Sequence, residues 1–237
     1  MFITMKKKTA IAVIIAIVLV VTVVITAVSV AAAQRANSGS LGKTIVVDAG
    51  HGGRDGGVEG RQTGIKESDI NLAIAKKLQT FLEQKGYKVV MTRTNAEGLY
   101  GTARNNRKQR DMEARRKIIN DASPDLVISI HQNSFPSPSV RGPQVFHSHG
   151  SEEGLAKAAI MQTKLNAVLE SDRVAKTGDF FILECSPYTS LLIECGFLSN
   201  AEEEQLLADA THQEKIAFTI SSAVHAIFFG EENSNDE

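Results

Sequence analysis

The chain has 237 residues, 26 Lys+Arg against 27 Asp+Glu (net charge −1), 5% aromatics, no Trp and two cysteines. That length suits one ordinary domain with extensions. The near-zero charge argues against nucleic acid as a partner, because phosphate binding needs a cationic excess. Two cysteines cannot staple a fold of this size or form a zinc finger, and a hydrophobic content of 43% excludes a disordered chain.

Lys6, Lys7 and Lys8 precede an uncharged apolar run from Ala10 to Ala33. About 24 helical residues span roughly 36 Å, more than a hydrocarbon core of about 30 Å. A secretory h-region is shorter, so residues 1–34 read as a cytoplasmic cationic cluster and an uncleaved transmembrane signal anchor. The lysines stay inside, which places the rest of the chain outside the cytoplasm. Cleavage after Ala31-Ala32-Ala33 is the alternative and gives a secreted protein. Residues 35–43 are small and polar and read as a linker. Residues 44–229 then make one domain, and 230–237 an acidic tail.

Within the domain, 44–48 (TIVVD) reads as a buried strand stopped by Ala-Gly-His-Gly-Gly. Ser68 or Asp69 is placed to cap a helix with apolar positions Ile70, Ile74, Leu78, Phe81 and Leu82, and Gly86 stops it. A second strand follows at 87–92, a charged amphipathic helix at 112–120 and a third strand at 126–130, ending at His131. The pattern continues with a strand at 144–147, a helix at 152–169, a short strand at 191–193 and helices at 202–207 and 212–229. Alternation of this kind predicts an α/β domain, with a mixed, mainly parallel sheet flanked by helices on both faces.

His51 and His131 stand just past the ends of two apolar strands. The carboxyl ends of such strands meet along one edge of the sheet, where ligands bind. Two imidazoles and one carboxylate are a common catalytic zinc set, with a position left for water. Glu67, opening the first helix in IKESD, is the best carboxylate, and Glu59 is its weaker competitor. Glu194 closes the buried run Leu191-Leu192-Ile193, an expensive place for a carboxylate. A desolvated Glu with a raised pKa suits a proton shuttle, and the four residues together describe metal-assisted hydrolysis.

Other residues read differently. His147 and His149 form an H-x-H pair without a nearby carboxylate, which favours a surface strand over a metal site. His212 and His225 read as structural. Asp48, Gly50, Gly52 and Gly53 shape the turn that presents His51. Arg104, Arg107, Lys108, Arg110, Arg115, Arg116 and Lys117 either attract anionic wall polymers and peptide carboxylates or form a solvated helix face, paired as Asp111 with Arg115 and Glu113 with Lys117. Cys185 and Cys195 read as free thiols, because Cys195 lies on a buried strand.

The runs IVVDAGHGGRDGG, KESDINLAIAKKL, KVVMTRT, DLVISIHQNS and LLIECGFLSNAEEEQLL, in that order, resemble zinc-dependent N-acetylmuramoyl-L-alanine amidases across residues 44 to about 229. The resemblance implies a Zn2+ ion held by His51, Glu67 and His131, with Glu194 as the catalytic acid/base. It implies hydrolysis of the amide joining the lactyl group of N-acetylmuramic acid to the L-alanine of a peptidoglycan stem peptide. RKQRDMEARRKIIN and the apolar N-terminus are most like the spore-cortex, germination-specific branch. The partners implied are peptidoglycan, the membrane through the N-terminal segment, and a regulatory protein, with action in the forespore intermembrane space; oligomeric state is left open. The long polar stretch 96–110 is a candidate groove wall or docking surface. The chain departs from the family pattern at Gln132, Glu184 and Thr189-Ser190, positions that bear on the groove. A zinc carboxypeptidase or endopeptidase acting within stem peptides, and a non-catalytic wall-binding module, are the competing readings.

Overall fold

The structure is a computed structural model that describes residues 17, 19–22 and 41–230. Contacts divide the chain into two units, Met1–Ser40 and Leu41–Glu237. Of the expected anchor, only residues 17 and 19–22 are described, and they are helical; the rest of it and most of the acidic tail lie outside the described residues. Among the described residues, no helix is long and apolar enough to cross a membrane.

The second unit alternates strands and helices: β1 (Thr44–Ala49), α1 (Glu67–Gln84), β2 (Lys88–Met91), α2 (Arg107–Ala122), β3 (Leu126–Asn133), β4 (Gln144–His147) and α3 (Glu152–Leu169), then β5 (Lys176–Thr177), α4 (Phe181–Glu184), β6 (Ser190–Phe197), α5 (Ala201–Ala208) and α6 (Ala210–Phe229). The strand order is β2-β1-β3-β6-β4-β5. β2, β1, β3 and β6 run parallel, β4 runs antiparallel to β6, and β5 lies parallel to β4. This is the expected mixed α/β sheet. β5 and α4 carry no apolar periodicity and were not expected from the sequence; β3, β6 and α2 are longer than their apolar runs.

The pleat explains why both faces are covered. Ile45, Val47, Ile128, Ile130, Leu191 and Ile193 point to one side, where α1, α3 and α6 contribute Ile74, Leu78, Met161, Leu165, Ile216 and Ile220. Val46, Val127 and Leu192 point to the other, against Ile119 of α2 and Ile182 and Leu183 of α4.

The start of α1 corrects an expectation. Its N-cap is Lys66, with no side-chain cap, and Ser68 and Asp69 lie inside the first turn. The first-turn amides of Glu67 and Ser68 instead donate to Val58 O (2.8 Å) and Gly56 O (3.0 Å), so the loop backbone does what a capping side chain would do. The other end is as expected. Gly86 adopts φ 87° and donates to Glu83 O, while Tyr87 N–H donates to Leu82 O, the paired bonds of a Schellman stop.

Candidate metal centre

Parallel pairing of β1, β3 and β6 aligns their carboxyl ends. His51 leaves β1 by one turn, His131 lies near the end of β3, and the register sets His131 directly opposite Glu194 of β6. Glu67 arrives from the first turn of α1. One ligand atom from each of His51, Glu67 and His131 lies within 4.8 Å of the others, so these three side chains could hold a metal ion; they are the single such group of His, Cys, Asp and Glu among the described residues. His51 Nε2 and His131 Nδ1 approach Glu67 Oε1 at 3.3 and 2.9 Å.

The carboxylate of Glu67 is built to stay ionised. Its Oε1 accepts from the Gln132 amide (3.1 Å) and Asn71 Nδ2 (3.2 Å), and its Oε2 accepts from the Val58 amide (2.9 Å). Burial pushes its carboxyl upward, but the hydrogen bonds and charges of His131 and His51 outweigh this and hold it well below the usual carboxylate range. Glu194 is the opposite case. It is 8% exposed, and among the described residues its buried Oε2 has no hydrogen-bond partner. Burial, reinforced by the charge of Glu67 and opposed by the two imidazoles, pushes its carboxyl up to about 7. Two carboxylates in one site are thus driven apart, one toward the ionised form and one toward the protonated form.

Three supporting residues were missed in the sequence. Asp55 Oδ1 lies 2.9 Å from His51 Nδ1, an outer partner of the kind that fixes an imidazole's tautomer, and Nε2 faces Glu67. Its spacing of four from His51 was the available signal. Both sequence readings of Arg115, in an anion-attracting cluster or on a solvated face, place it at the surface, but it is 1% exposed. Its guanidinium pairs with Asp48 and Asp111 and donates to Ala49 O (2.9 Å) and His51 O (2.7 Å). Arg93, also buried, donates to Ala49 O and Gly50 O (2.9 Å each) and to Ser68 O (2.8 Å). Two arginines therefore hold the carbonyls of residues 49–51 and tie them to the start of α1. They stabilise His51 in a left-handed conformation (φ 60°) that non-glycine residues seldom adopt. Asp48 is thereby more than a turn former: Ser129 and Thr92 hydroxyls donate to it alongside Arg115.

The remaining expectations divide. Asp111 pairs with Arg115 as anticipated, but Glu113 pairs with Arg116, and Lys117 with Asp121. His147 is buried rather than on a surface strand, with its Nδ1 2.9 Å from Ser148 O, and His149 pairs with Asp179. Glu59 is exposed and bridges Lys66 through the backbone. His212 and His225 lie on α6. Cys185 and Cys195 are free, and burial pushes both thiols up, that of Cys185 to about 11.

A cleft of about 630 Å³ opens above the cluster, walled by Val58, Lys108, Met112, Phe180, Phe181 and Ser134. Its floor depends on Gly50, because a Cβ there would overlap the imidazole of His131. Gly50→Ala is expected to weaken metal affinity by about 10–100-fold, the scale seen when a ligand's support is disturbed. Chelator competition measures this; unchanged affinity would show that His131 does not depend on the close approach.

A family model described as N-acetylmuramoyl-L-alanine amidase matches residues 45–226. The chain is 34% identical over 194 residues to the germination-specific N-acetylmuramoyl-L-alanine amidase of Bacillus subtilis (strain 168), covering 79% of this chain and 80% of that one. It is 32% identical over 183 residues to the amidase LytC of the same organism, covering 76% of this chain and 34% of that longer protein. Among solved structures it is similar to the CwlD amidase of Clostridioides difficile, determined in complex with the GerS lipoprotein, with a TM-score of 0.76 and 34% identity over 78% of this chain and 98% of that one. On sequence and fold, the chain belongs to the N-acetylmuramoyl-L-alanine amidase family.

Proposed function

We propose that this protein hydrolyses the amide between the lactyl group of N-acetylmuramic acid and the L-alanine of the peptidoglycan stem peptide, using zinc held by His51, Glu67 and His131, with Glu194 as general base and then general acid. The observation that carries the reading is the pairing of a convergent His-Glu-His donor set with an unpartnered, desolvated carboxylate directly across the strand register. Two imidazoles and a carboxylate fit zinc by donor type, and the bare Glu194 Oε2 fits a site that handles water. Zinc bound there supplies Lewis acidity, polarising the amide carbonyl and lowering the pKa of water.

Glu194 Oε2 takes the proton as the water oxygen forms its bond to the carbonyl carbon. The same carboxyl then delivers that proton to the alanine nitrogen as the carbon–nitrogen bond breaks. The products are a lactyl carboxylate and a peptide with a free amino terminus. Asp55 orients His51, and Arg115 and Arg93 hold the loop that carries it.

The site is assigned to peptidoglycan outside the cytoplasm, in spore-cortex remodelling, on the strength of the similarity to a germination-specific amidase. The anchor reading of residues 1–34 accounts for delivery, and the complex formed by the similar CwlD with a lipoprotein supports a regulatory protein partner. The test is digestion of purified peptidoglycan by the full chain, with chelator and with zinc restored. Peptides with free N-terminal alanine should appear only with metal. His51→Ala and His131→Ala should lose both bound zinc and turnover. Cleavage inside the stem peptide would instead establish the endopeptidase reading.

A further inference from the structure

The basic residues of the 104–117 region differ in their surroundings. Arg115 is buried, and Arg116 and Lys117 are satisfied within α2. Arg104 and Arg107 instead face a cleft of about 510 Å³ that is also lined by Arg54, Lys66, Tyr100 and Ser68. Among the described residues, none of Arg54, Lys66, Arg104 and Arg107 forms an ion pair. Asp69 and Glu97 also line the cleft and are the opposing acids, so cations outnumber them by four to two. The amino terminus of α2 opens on the same side, without an acidic residue in its first turn. Unpaired cations around a polar recess are an attractive field for an anion.

This cleft neighbours the candidate metal centre by way of shared walls. A small recess of about 290 Å³ shares Arg54, Tyr100 and Arg107 with the basic cleft, and it shares Asp55, Lys108 and Met112 with the cleft over the metal ligands. From Met112 to Arg107 the helix advances about 7.5 Å at about 1.5 Å per residue. An extended peptide covers about 3.3 Å per residue, so two or three residues span the step from Met112, on the wall of the metal-site cleft, to Arg107.

The geometry points to a second subsite, in which Arg54, Lys66, Arg104 and Arg107 take a backbone or side-chain carboxylate of the stem peptide while its muramoyl amide lies over His51, Glu67 and His131. The assignment rests on the amidase reading and extends it: the preferred substrate bears free carboxylates, and Tyr100 and the 96–106 loop form the subsite's wall. Arginine suits this role because its planar fork meets a carboxylate in two parallel hydrogen bonds.

The experiment measures calorimetric binding of two stem peptides to the full-length, zinc-loaded protein, one with free carboxylates and one with every carboxylate converted to carboxamide. The free acid should bind about tenfold tighter, as expected for one charge-assisted contact, and the margin should shrink with added salt. In R54Q/R104Q, which alters two exposed side chains, the acid-over-amide ratio should fall toward one. Equal affinity of both peptides for the wild type overturns the proposal, as does a double variant that keeps the full ratio. Inhibition by a phosphate-rich wall polymer without any acid-over-amide preference would overturn it in favour of a polymer site. Turnover of intact muropeptide, measured separately, reports on the amidase reading alone, since peptide binding here needs no cleavage.

Discussion

The Glu194→Gln protein is expected to bind zinc as the wild type does and to turn muropeptides over about 10²–10⁴ times more slowly. The side chain keeps its size and polarity but loses the ability to accept a proton, and general acid–base catalysis contributes on that scale. Retention of metal follows from position, because Glu194 stands across the register from His131 and is absent from the three-residue donor group. Elemental analysis beside a steady-state muropeptide assay reads both quantities. Wild-type turnover would remove the proton-shuttle assignment, and loss of zinc together with turnover would make Glu194 a ligand. Because burial, reinforced by the charge of Glu67 and opposed by the two imidazoles, pushes this carboxyl up to about 7, and a neighbouring cation favours its ionised form, the acid limb of kcat/KM should lie at or below about pH 7 in the wild type and should disappear from the residual activity of the variant.

Arg115→Met should cost about 3–5 kcal/mol at pH 7, the range for removing one partner of a buried ion pair. The change leaves Asp48, 1% exposed, without its counter-charge and frees the carbonyls of Ala49 and His51 from a common donor. Asp48 is held below the usual carboxylate range because Arg115, with the Ser129 and Thr92 hydroxyls, outweighs the opposing effect of burial. The contribution of the pair is therefore complete above the unfolded aspartate value of about 3.9 and is lost as pH falls through the folded value. The deficit of the variant should be largest near neutrality and should shrink below about pH 4. Urea unfolding at pH 7 and pH 3 tests this, with Arg116→Met as a control: its exposed pairing with Glu113 is worth about 0–1 kcal/mol. Equal effects from the two substitutions would show that burial of Arg115 has no energetic weight.

The parts of this protein legible in the sequence were those with local causes. β1, β3 and β6 announce themselves as β-branched or apolar runs, and the residue that ends each run is conspicuous because polar groups are rare there. That is how His51, His131 and Glu194 stood out. Glu67 was legible from its place at the opening of a helix. The supporting residues were hidden because their meaning is long-range. Arg115 lies among six other cations between residues 104 and 117, and nothing nearby marks it as the one that crosses to Asp48. In hindsight Asp111, Arg115 and Ile119 form a buried stripe at a spacing of four. The Lys66 cap was invisible for the same reason, since the partners of the first-turn amides are backbone carbonyls of a preceding loop. Lys176–Thr177 is a strand only because β4 offers it an edge.

The location of Glu194 has a mechanical consequence. β6 is an interior strand, hydrogen-bonded on one side to β3 and on the other to β4, and every residue from Ser190 to Phe197 is buried. Amide hydrogens there exchange only when much of the sheet opens, whereas the exposed 101–106 segment beside the basic cleft is free to breathe locally. The group proposed to shuttle protons is thus mounted on a strand clamped from both sides, and adjustment to differently shaped substrates is left to the rim.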